Sequence, residues 1–213
     1  VVSIMMVAAG VGSFVAGPAM LAAAKCTTGT ALMTGLRTQV AAAATMSAAT
    51  VMASWIGWLR LGATPSWLVW CWASALGVGL AFTDLRCRRL PFPMVATLAG
   101  GCAVLSFGIA VMDGAWSRFG FACAAAVVAY GLASLVQLCA PDHTGGGDTA
   151  LYGALAMFLG WFGWDCLLRG LLFASGLTAV AALVVAVSSR SVNSTFAAGP
   201  SLLGGALVSV VVA

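Results

Sequence analysis

The chain has 213 residues, 62% of them hydrophobic and 7% charged, with a mean hydropathy of +1.10. A soluble domain with that surface would aggregate, so the composition excludes an ordinary water-soluble enzyme and predicts an all-α, polytopic membrane helical bundle, one integral-membrane domain over residues 1–213. The net charge of +4 comes from nine Lys and Arg spread over loops, which suits topology signals better than a phosphate-binding face, and no nucleic-acid partner is expected.

In chain order, Val1 to Ala24 carries no charge and is long enough to cross a hydrocarbon layer of roughly 30 Å. It lacks the basic stretch of a secretory signal and is expected as a retained helix, although Ala22-Ala23-Ala24 resembles a cleavage site. Further crossings are expected at about residues 40–61, 66–83, 91–112, 117–140, 149–164, 168–188 and 196–213, about eight transmembrane segments in all. The sixth and eighth are short, which calls for tilt, extension or partial spanning. Abundant Gly and Ala let membrane helices approach closely. With the N-terminus outside, Lys25, Arg37, Arg86, Arg88, Arg89 and Arg190 fall on inner loops, and Arg60, Arg118 and Arg169 on outer ends. That imbalance places the first group in the cytoplasm. Trp55, Trp58, Trp67, Trp70, Trp116, Trp161 and Trp164 then gather toward outer helix ends as an aromatic belt, with Trp72 a little deeper.

Chemistry concentrates on two acids, Asp84 in Ala81-Phe82-Thr83-Asp84-Leu85-Arg86 and Asp148 in Gly145-Gly146-Gly147-Asp148-Thr149. An ionised carboxylate near hydrocarbon costs free energy and usually marks a pair, a pathway or a reaction site. Two expected crossings separate the acids, so both return to one face, the cytoplasmic one. Asp113 and Asp165 fall on the outer side and suit turn or cap roles, while Asp142 shares the inner loop with Asp148 but stands outside the glycine string. Gly145 to Gly147 allow close backbone approach before a helix whose first turn holds Asp148, an environment that favours its ionised form. The same string also serves simply to cap a membrane helix. It is not a Gly-x-Gly-x-x-Gly loop, and no Lys-Ser/Thr pair follows it.

After Asp84 come Arg86, Arg88 and Arg89, then Leu90-Pro91-Phe92-Pro93, a link stiffened by proline. The arginines suit topology anchoring, balancing of carboxylates, or a grip on substrate backbone or lipid headgroup. Two carboxylates sharing a site cannot both ionise cheaply, so the pair holds one proton. The ionised member then takes a proton from water, and the protonated one hydrogen-bonds a scissile carbonyl. No metal or cofactor is expected: His143 is the sole histidine, and the seven cysteines show no C-x-x-C spacing. A Ser-Lys arrangement is disfavoured because Lys25 is the sole lysine, although Ser13 precedes it.

These two motifs resemble those of the type IV prepilin peptidases, membrane aspartic proteases that trim leaders from pilin-like precursors. The first resembles Asp84-Leu85-Arg86-Cys87-Arg88-Arg89-Leu90-Pro91-Phe92, and the second Gly145-Gly146-Gly147-Asp148-Thr149-Ala150, with Gly153 and Leu159-Gly160 beyond it. Gly12-Ser13-Phe14 and Phe196-Ala197-Ala198-Gly199-Pro200 extend the similarity to both ends. Phe92 stands where the family has asparagine, and Ala150 where it has lysine. Residues 25–39 are too few for the cysteine-rich cytoplasmic domain of larger members, so a methyltransferase activity is not implied.

The resemblance implies catalytic Asp84 and Asp148, supported by Gly145, Gly147, Arg86, Arg88, Arg89, Pro91, Gly199 and Pro200. It implies a prepilin or pseudopilin precursor as substrate, cut at the cytoplasmic face of a bacterial inner membrane, with membrane lipid and pilus or secretion assembly proteins as further partners. The alternatives are a noncatalytic pilus or secretion assembly protein and a proton-coupled transporter, since intramembrane acids also relay ions.

Overall fold

A computed structural model describes residues 36–87, 90–139, 146–189 and 199–212. The expected first crossing, Val1 to Ala24, lies outside the described residues, as do Lys25, Arg88, Arg89, Asp142, His143, Gly145 and Arg190. The described residues form seven helices: α1 (Leu36–Leu61), α2 (Ser66–Cys87), α3 (Phe92–Asp113), α4 (Trp116–Cys139), α5 (Gly146–Trp161), α6 (Trp164–Ser189) and α7 (Gly199–Val212). Each is apolar nearly all round, as expected where no water competes for backbone hydrogen bonds and the helix must satisfy its own.

Five of them are long and apolar enough to cross a membrane: Val40–Leu61, Ser66–Arg86, Phe92–Asp113, Trp116–Cys139 and Trp164–Val184. The protein is therefore a multi-pass membrane protein with five candidate crossings among the described residues, not specifically eight. Of the two short helices, α5 has 16 residues and α7 has 14.

Three tight links join helices at the end of the bundle opposite Asp84. Gly62, Gly114 and Gly163 adopt φ of 61°, 70° and 111°, left-handed angles that side chains resist and glycine accepts. These glycines set the boundaries more sharply than hydropathy does. Accordingly α6 begins at Trp164, directly after Gly163, and not near residue 168. No Gly or Pro stands between Asp84 and Leu90, so α2 runs on to Cys87 and carries Asp84 in its last turns.

The bundle is built around α5. From Leu155 to Trp161 every residue of α5 is buried, because α3 and α4 pack on one side of it while α6, α7 and α2 close the rest. Phe158 meets Trp70 of α2 at a ring-centroid distance of 6.1 Å. α1 packs chiefly on α2, and α6 on α7. Close approach relies on glycine: a Cβ at Gly160 would lie 2.9 Å from Ala122 Cα, and one at Gly205 would strike the backbone of Ala174.

The tryptophans range from exposed through half-buried Trp58 and Trp72 to fully buried, which corrects the expectation of one aromatic belt. Trp55, Trp116 and Trp164 are exposed as lipid-interface anchors would be, whereas Trp67, Trp70 and Trp161 are buried. The buried indoles donate inside the protein, Trp67 Nε1 to Ser54 O at 3.1 Å, Trp70 Nε1 to Ala53 O at 2.7 Å and Trp161 Nε1 to Ser66 Oγ at 3.0 Å. A buried Trp needs such a partner. Trp70→Phe should destabilise the detergent-solubilised protein by about 1–2 kcal/mol through the lost hydrogen bond and ring volume. Trp55→Phe should stay within about 0.5 kcal/mol, and reversible unfolding in mixed micelles reads both.

Candidate functional site

Asp84 is buried, and its carboxylate is held from another helix. Gly199 N–H, at the start of α7, donates to Asp84 Oδ2 at 2.7 Å. The first N–H groups of a helix have no partner within it, so the acid satisfies a donor that would otherwise be orphaned. The approach is close enough that a Cβ at Gly199 would lie 2.9 Å from Oδ2 and 3.2 Å from the Asp84 Cβ. Thr83, beside it, is turned inward and donates to Gly79 O at 2.8 Å. The Gly-Pro string near the C-terminus thus has a definite place: Gly199 touches the first acid, and Pro200 follows as the second residue of α7.

The link after α2 is equally defined. Pro91 caps α3 with φ −69° and ψ 118°, and its carbonyl accepts from Met94 N at 3.0 Å and Val95 N at 3.3 Å. Leu90, just before it, lies against the start of α5: a Cβ at Gly147 would stand 2.8 Å from both Leu90 Cβ and Leu90 O. Only glycine allows this contact. It brings the first turn of α5, which contains Asp148, to the end of the bundle where Asp84 sits. The two acids thus belong to one end, as their sequence parity predicts. Asp84 is turned to α7, and half-buried Asp148 lines a cleft between α4 and α6.

Arg86 is exposed, with its guanidinium 5.5 Å from the centre of the Phe82 ring one turn earlier on α2. Such a cation over an aromatic face is held to its own helix. Arg88, Arg89 and Gly145 lie outside the described residues. Asp113 ends α3, and Asp165 is in the first turn of α6, where an acid complements the helix dipole. Among the described residues no group of three or more His, Cys, Asp or Glu is arranged to hold a metal ion.

Phe92 and Ala150, distant in sequence, line the same apolar cleft of about 520 Å³ between α3 and α4, floored by α5. Tyr130, Gly153 and Met157 complete its surface. The two positions where the sequence departs from the motifs it resembles therefore border one apolar hollow.

Other site-proximal features escape sequence inspection. Thr149 Oγ1 donates to Gln137 Oε1 at 2.8 Å, tying the start of α5 to α4. Tyr152 OH and Ser175 Oγ lie 3.4 Å apart across the α5–α6 boundary. The available signal was a polar side chain within an apolar run, which at Gln137 and Ser175 is visible but does not name its partner.

Comparison with protein-family models, curated proteins and solved structures returned no match to this chain. The resemblance to prepilin peptidases rests on sequence motifs alone.

Proposed function

We propose that this protein is a membrane aspartic endopeptidase that removes the leader from a prepilin-like or pseudopilin-like precursor. Asp84 and Asp148 form the dyad, one accepting a proton from water while the other hydrogen-bonds the scissile carbonyl. The contact that carries this reading is Gly147 against Leu90, which sets the Asp148 helix start on the link that follows Asp84. In the proposed topology the chain crosses about eight times, counting Val1 to Ala24 and the short helices α5 and α7, with both acids facing the cytoplasm of a bacterial inner membrane. In this reading the motif residues Arg86, Arg88, Arg89 and Pro91 support Asp84, and Gly145 and Gly147 support Asp148, roles taken from the sequence resemblance. Lipid and pilus or secretion assembly proteins are the proposed partners.

Purified protein in lipid vesicles should cut a precursor whose short basic leader ends in glycine ahead of an apolar helix. Mass analysis should find a new N-terminus at that junction, and an intact precursor beside folded protein would count against the proposal. Gly199→Ala should lower the cleavage rate about 10- to 100-fold, because the added methyl displaces the Asp84 carboxyl from its backbone donor. Gly204→Ala, with nothing within 4 Å of the added atom, should not.

A noncatalytic assembly role is the second reading. Phe92 and Ala150 favour it, since both give an apolar lining where the family motifs carry polar or charged groups. A proton-coupled transporter fits less well, because the acids lie at one end of the bundle and many transport sites lie near the midplane.

A further inference from the structure

The cleft bordered by Asp148 has a volume of about 350 Å³. Its α4 wall is Ala129, Leu132, Ala133 and Val136, a spacing that defines one helical face, and Leu171 and Ser175 of α6 stand opposite. Asp148 and Tyr152 are four residues apart and share a face of α5. Ser175 and the α4 wall all belong to helices long enough to cross the membrane. The cleft is thus an apolar trough with hydroxyls within it and a carboxylate at one end.

The Tyr152 and Ser175 oxygens are 3.4 Å apart, longer than an ordinary O–H···O bond, so the two are loosely paired. Each hydroxyl has lone pairs to spare. An acyl chain offers nothing to those lone pairs. The start of an apolar helix does: its first four N–H groups have no partner within the helix, and hydrocarbon supplies none.

We infer that this cleft seats the first turn of the precursor's apolar helix, with the Tyr152 and Ser175 hydroxyls accepting hydrogen bonds from its unpaired N–H groups. The inference rests on the peptidase reading for the class of substrate. Tyr152 and Ser175 act as positioning residues: they hold the helix start so that the peptide bond preceding it reaches Asp148. Small Ala129 and Ala133 leave room for the bulkier side chains of the incoming helix.

The test uses the full chain in lipid vesicles and a precursor carrying a photoreactive diazirine side chain in the first turn of its apolar helix. Adducts are expected on residues 129–136 or 171–175. Combining Tyr152→Phe with Ser175→Ala should raise KM about tenfold with little change in kcat, as expected for two modest hydrogen bonds. Ser175→Thr, which keeps the hydroxyl, should bind like the parent protein. Cleavage with unchanged KM in the double variant, or adducts confined to Ala99 and Ala103 of α3, would overturn the seat and leave the peptidase standing. Adducts at the cleft without cleavage would retire the peptidase and keep the seat, and neither adduct nor cleavage would remove both.

Discussion

Asp84→Asn and Asp148→Asn should each reduce precursor cleavage in lipid by about 10²- to 10⁴-fold, the range for losing a proton-transfer group. Asparagine neither takes a proton from water nor donates one as an acid, yet it keeps the size of aspartate. At Asp84 its amide oxygen still accepts from Gly199 N–H, so the join between α2 and α7 should survive. At Asp148 the substitution keeps the size of the side chain and an oxygen in the first turn of α5. Both variants should therefore retain the parent's helical circular dichroism and its elution from size exclusion. Cleavage surviving in either one removes that residue from the dyad. Proton flux without cleavage would move the protein to the transport class.

Gly205→Ala should cost about 3 kcal/mol of stability, the upper part of the range for overpacking a filled interior. The added methyl would lie 2.6 Å from Ala174 Cα and 2.7 Å from the Phe173 carbonyl carbon. A flexible side chain could turn aside, but the α6 backbone cannot, so α7 must move away. Because α7 also carries Gly199, the displacement should weaken the hold on Asp84 and lower cleavage together with stability. Unfolding in mixed micelles, run beside Gly204→Ala, separates the steric effect from helix propensity. At position 204 the added atom meets nothing, and the Gly-to-Ala gain is at most about 1 kcal/mol.

The helices are legible in the sequence because apolar runs stop at Gly62, Gly114 and Gly163 or at the charged stretch after Asp84. Which helix lies inside is not legible. α5 is as apolar as α3 or α4, and hydropathy has the same value whether a side chain meets lipid or protein, so its central burial leaves no periodic signature. The same ambiguity places Trp67, Trp70 and Trp161 in a belt when they are in fact interior.

The candidate site divides along similar lines. Loop parity alone predicts that Asp84 and Asp148 share an end, and Gly-Pro marks Gly199. The reason glycine stands at position 199 is a long-range contact with an acid 115 residues earlier. Likewise Phe92 and Ala150 come to line one cleft only through the packing of α3 on α5. Local sequence carries neither fact.

In the proposed dyad the end of α2 and the start of α5 bring the two acids within reach of one proton. This approach is tested most directly by placing cysteines at both positions, Asp84→Cys with Asp148→Cys, in a background freed of the seven native cysteines. In lipid, a short bifunctional thiol reagent should link the two within one chain, and added precursor should increase the yield. If each cysteine reacts singly with a small thiol reagent but the pair is never bridged, with precursor or without it, the acids do not meet and the account is wrong.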